Sequence, residues 1–201
     1  MKLLRLLSSS ILCLLCLAPT FCSAHPGHSE SFDLLTGMAH PFSGIDHFLV
    51  ILLVGFWSVL SFKKPWLGPL SFVLGMIAGS TAGLFTATAQ YLEVAIALSV
   101  IITGFVLVSK SKFSENLSSV LLIIFGVFHG LAHTGYLPVI TSFNVGNISM
   151  DLLGLVLGTL FLHMTGLYIA KLTIQSNPLI TKIAGIATTL YGSFLLIQLS
   201  L

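Results

Sequence analysis

The chain has 201 residues, 56% of them hydrophobic and only 7% charged, with eight Lys+Arg against six Asp+Glu. Soluble domains carry about 25% charged residues, so this balance excludes a water-soluble fold and, with a mean hydropathy of +1.06, fits a multi-span membrane protein. A formal charge of +2 leaves no basic surface for nucleic acid, and no Walker-type glycine loop is present to supply an ATPase domain.

In chain order, residues 1–24 come first. Lys2 and Arg5 precede an apolar stretch from Ile11 to Leu17, and Cys22-Ser23-Ala24 offers small residues at a cleavage point. This is the layout of a removable signal peptide, although a retained first helix would share its apolar character. Cleavage would remove Cys13, Cys16 and Cys22, leaving no disulfide and no thiolate for a soft metal. The mature chain, 25–201, would begin His25-Pro26-Gly27-His28. These histidines either capture metal beside the free amine or belong to an inert tail.

Six apolar stretches follow, at roughly 44–62, 66–86, 91–109, 117–137, 152–172 and 179–199, each about 20 residues and long enough to cross a hydrocarbon core of about 30 Å. The fold class expected is an all-α membrane protein, a single domain with a six-helix transmembrane bundle. A loop is expected near 138–151, where Asn144, Gly146 and Asn147 are turn formers. Lys63, Lys64, Lys110, Lys112, Lys171 and Lys182 all fall on one side of such a bundle. The positive-inside rule makes that side cytoplasmic, with both termini periplasmic. Gly75, Gly79 and Gly83, and likewise Gly154 and Gly158, read as helix-packing surfaces.

Ionisable residues inside apolar stretches cost about 2.5 to 3.5 kcal/mol on insertion scales, so they mark function by default. Two clusters stand out: His40-Pro41-Phe42-Ser43-Gly44-Ile45-Asp46-His47 and Phe128-His129-Gly130-Leu131-Ala132-His133. The first lies where one span enters from outside and the second where another exits, so they meet at similar depth. His129 and His133, spaced i, i+4, share a helix face and could grip one ion. In a straight helix His40 and His47 would be about 10 Å apart, so both can serve one site only if the chain bends at Pro41 and Gly44. Ser43-Gly44-Ile45-Asp46 has the form of a capping box, which makes Asp46 either a cap or a metal-site carboxylate. Glu93, in the first turn of the third stretch, suits the helix dipole or the site. Asp151 is expected to cap the fifth stretch. His163 is an inner ligand or a packing histidine. Gly130 makes room for a neighbouring helix.

Imidazole plus carboxylate without thiol suits Ni2+, Co2+, Zn2+ or Fe2+ as the handled ion, with no resident cofactor required. Besides transport, the pattern admits a membrane-embedded metal-dependent hydrolase or a periplasm-facing metal sensor or storage protein.

The H-x5-D-H pattern at His40, Asp46 and His47, the F-H-G-x-A-H pattern from Phe128 to His133, and the stretch Glu93-Val94-Ala95-Ile96-Ala97-Leu98-Ser99-Val100 resemble the HupE/UreJ family of nickel and cobalt permeases. The resemblance runs through nearly the whole mature chain, including Leu162-His163. It implies import of Ni2+ or Co2+ across the bacterial inner membrane for metalloenzyme assembly. In one departure, Thr134-Gly135-Tyr136 stands where the family's second motif continues as G-x-E, and a neutral tyrosine offers no hard anionic ligand.

Overall fold

A computed structural model describes residues 33–85, 91–109, 113–134 and 145–200. The expected signal peptide, His25, His28 and Tyr136 lie outside these. All regular structure among the described residues is helical. The helices are α1 (Leu34–Ala39), α2 (Ile45–Ser61), α3 (Leu67–Gly83), α4 (Tyr91–Ser109), α5 (Glu115–Thr134), α6 (Val145–Ser176) and α7 (Pro178–Gln198), with a 3-10 turn at His40–Phe42. Helices satisfy their own backbone groups, the condition for a chain that sits in lipid. Hydroxyls that would otherwise be stranded there donate to the carbonyl one turn back, as Ser58 does to Val54 and Thr188 to Ala184.

Four helices, α4 to α7, are long and apolar enough to cross a membrane, and a fifth span results if α1 with its 3-10 turn and α2 count as one broken crossing. The protein is therefore a multi-pass membrane protein. At 17 residues α3 is shorter than α4 to α7. The broken crossing bends by 83°. Pro41 sits within the 3-10 turn, and Gly44 leaves the helical region at φ −115° and ψ 133°, which breaks the run of intrahelical bonds there.

Three local expectations are corrected. The capping box is not formed: the Ser43 hydroxyl donates to the His40 carbonyl at 2.7 Å, α2 starts at Ile45, and its N-cap Gly44 has no side-chain bond. The segment 34–39, outside the six expected stretches, is helical and capped by Asp33, whose carboxylate accepts from the Thr36 amide at 2.8 Å. α6 begins at Val145, so Gly146 and Asn147 are helical, not loop, and Asp151 lies inside the helix and cannot cap it.

In lipid, helices gain little from hiding apolar surface from one another, so close backbone approach holds the bundle. α3 and α5 interlock on this principle. A Cβ added at Gly75 or Gly79 would collide with the backbone at Ile123 or Val127, and one added at Gly126 or Gly130 would collide with the backbone of α3 at Phe72, Met76 or Ser80. Around α2 gather Val50, Val54, Trp57, Phe72, Val100 and Leu122, all fully buried. The Trp57 indole donates to Ser118 Oγ at 3.1 Å, which satisfies its N–H. The surface carries large apolar groups such as Tyr168, Leu190 and Phe105, as a lipid-facing exterior requires. The Lys63 amide donates to Glu115 Oε1 at 3.1 Å, tying the end of α2 to the start of α5. The histidines gather at the opposite end.

Candidate metal path

His47 lies in the first turn of α2, and His129 and His133 lie in the last two turns of α5. The two helices thus bring both clusters to one end of the bundle. The 83° bend folds His40 back over this end, as the sequence required for both histidines of the first cluster to meet. The rings form a file. His133 packs edge-on to His40 with centroids 4.3 Å apart, His40 lies 5.8 Å from His47, and His47 lies 4.8 Å from His129. Phe72 continues the line, 5.3 Å from His129 and 5.1 Å from His163. His163, on α6, is fully buried and sits deepest along the line.

Every imidazole in this file except His40 has a carbonyl or carboxylate oxygen on one nitrogen. His129 Nδ1 donates to the Phe125 carbonyl at 2.9 Å, and His163 Nδ1 donates to the Ile51 carbonyl at 2.6 Å. His133 Nε2 lies 2.8 Å from Asp151 Oδ2, and His47 Nδ1 lies 3.3 Å from Asp46 Oδ1. A carbonyl or carboxylate only accepts, so the proton belongs to the nitrogen that faces it. The opposite nitrogens, His47 Nε2, His129 Nε2, His133 Nδ1 and His163 Nε2, are buried and have no hydrogen-bond partner. Each carries a lone pair aimed into the buried interior. That is the state in which imidazole binds a borderline metal ion, with the second nitrogen held by an oxygen.

Among the described residues no three histidine or acid side chains are arranged to hold one ion together. The histidines instead form a line of neighbouring rings. His129 and His133 do share a face of α5, yet each packs against a different ring of the first cluster. Asp46, freed from capping, faces His47. Glu93 occupies the first turn of α4 and is half-buried.

Asp151 is the residue whose place in the site the sequence reading missed. Its side chain is only 6% exposed and it pairs with His133 across two helices. The turn formers Asn144, Gly146 and Asn147 put the expected helix start too late. The signal that could have found it is the one that found the histidines, an acid inside an apolar run between Met150 and Leu152.

Residues 12–195 match the family model described as HupE / UreJ protein. The chain is also 32% identical over 182 residues to Protein HupE of Rhizobium leguminosarum bv. viciae, covering 89% of this chain and 92% of that protein. No solved structure matches the chain.

Proposed function

The chain belongs to the HupE/UreJ family, and from that premise we propose that it is a secondary permease that imports a divalent transition-metal ion, Ni2+ or Co2+, across the bacterial inner membrane. The observation that carries this reading is the file of imidazoles in which His47, His129, His133 and His163 each face an oxygen through one nitrogen and keep the other buried without a partner. A metal-dependent hydrolase typically holds its ion at one centre with three protein ligands. A permease needs something different: sites that bind well enough to admit an ion and weakly enough to pass it on. Donors spaced 4.3 to 5.8 Å from ring to ring suit transfer, because an ion can gain a bond to the next ring as it loses one to the last.

In this reading His133, His40, His47 and His129 are the successive ligands at the outer end. Asp46 supplies negative charge beside His47, Glu93 adds charge at the same end of α4, and His163 receives the ion beyond Phe72. His25 and His28 capture metal at the entrance. Both termini face the periplasm, the lysine-bearing ends face the cytoplasm, and the driving force is the membrane potential or a proton gradient.

Uptake of Ni2+, Co2+ and Zn2+ in competition, measured with purified protein in liposomes, tests the proposal. The unmodified protein should accumulate Ni2+ or Co2+, and His129→Ala and His133→Ala should nearly abolish accumulation at limiting metal while membrane abundance is unchanged. Uptake by both variants equal to that of the unmodified protein would overturn it.

A further inference from the structure

We infer that Asp151 is a positioning residue for the metal path, acting through His133 by holding its Nε2–H so that the Nδ1 lone pair is presented to the ion. The inference rests on the permease reading above and adds a residue from α6 to the site. Three observations carry it. The bond is short, 2.8 Å, and joins helices whose contacting residues are 18 apart in sequence, so it arises from tertiary packing and not from local geometry. Both side chains are nearly buried, at 8% and 6% exposure, where water cannot take the carboxylate's place. Asp151 is also not needed for capping, since α6 starts at Val145 and the residue lies in its second turn.

The chemistry then has one direction. A carboxylate in an apolar bundle is costly, and it is retained here against a group that can donate to it. Neutral imidazole has one N–H. With that N–H drawn to Asp151 Oδ2, the ring is fixed in one tautomer and one orientation, and His133 Nδ1 is left buried and without a partner. A hydrogen-bonded carboxylate also raises the basicity of the opposite nitrogen, and partners of this kind commonly change metal affinity by about 10- to 100-fold when removed. Asp46 gives His47 a comparable but looser partner at 3.3 Å from the adjacent residue, so His133 depends on a neighbouring helix for what His47 obtains locally.

The test is equilibrium Ni2+ binding to full-length purified protein, in a background where His25 and His28 are alanine so that tail binding does not contribute. Asp151→Ala should raise the Kd by about 10- to 100-fold. Asp151→Asn, which keeps an acceptor oxygen but not the charge, should raise it less, because neutral hydrogen bonds are about half as strong. In a His133→Ala background, Asp151→Ala should add no further change, the signature of a residue that acts through another. A Kd for Asp151→Ala within twofold of the unmodified value, or full additivity with His133→Ala, would overturn the inference. If Asp151→Ala does not accumulate as folded protein, Asp151→Asn decides alone, and an unchanged Kd refutes. Failure of the permease reading shows separately, as unaltered uptake by His129→Ala.

Discussion

Gly130 stands between the two histidines of α5, and replacing it with alanine tests whether backbone contact with α3 sets their position. A Cβ at Gly130 would lie 2.6 Å from the Ser80 amide nitrogen and closer still to the Met76 carbonyl, whereas ordinary van der Waals contact begins at 3.4 Å. The obstacles are backbone atoms, so relief requires α5 to move from α3 by more than the roughly 0.8 Å that the Ser80 contact alone demands, and overpacking of this kind costs about 1 to 3 kcal/mol. In an unobstructed helix the same change would stabilise by about 1 kcal/mol, because glycine is a poor helix former. The sign of the effect is therefore diagnostic. Purified Gly130→Ala protein should melt at a lower temperature than the unmodified protein. It should also lose uptake, since displacement of α5 carries His129 away from His47 and His133 away from Asp151. A raised melting temperature with full uptake would refute the close-approach argument.

Uptake should fall as external pH is lowered into the range where the imidazoles are protonated, because a protonated ring has no lone pair for metal; uptake that rises on acidification would count against imidazole as the ligand. In intact cells, Asn147→Cys should react with an impermeant thiol reagent and Ser111→Cys only after lysis, and the reverse pattern would invert the proposed transport direction. Ser118→Ala should lower the melting temperature by the equivalent of about 1 to 3 kcal/mol, since it strands the buried Trp57 N–H, while lipid-facing Leu190→Ala should change little.

Apolar run length was enough to place the helices at 45–61, 91–109 and 178–198 within a residue of their expected ends, because lipid leaves the backbone little choice. The bend at His40–Phe42 was legible from Pro41, Gly44 and the need to bring two histidines together. Side-chain partnership across helices was not legible. Nothing in the spacing of His133 and Asp151 says that they touch, and a carboxylate near an assumed helix start reads equally well as a cap. Asp46 shows the same ambiguity resolved the same way, since the S-x-x-D pattern is present but the Ser43 hydroxyl turns back to His40 and the carboxylate faces His47. The short helix at 34–39 escaped notice because six residues give too few turns for a periodic signal.

The glycine seam between α3 and α5 decides which parts of the bundle can move. Backbones locked at carbonyl distance do not slide past one another, so these two helices behave as one rigid piece. His129 and His133 ride on that piece, whereas His47 belongs to α2, and His163 and Asp151 belong to α6. A rocking motion that exposed the path first to one side and then to the other would run between the pieces, along the line of rings itself. It would part His47 from His129 and His133 from Asp151 in the same stroke, so the ion's resting places would be assembled and dismantled by the motion that carries it.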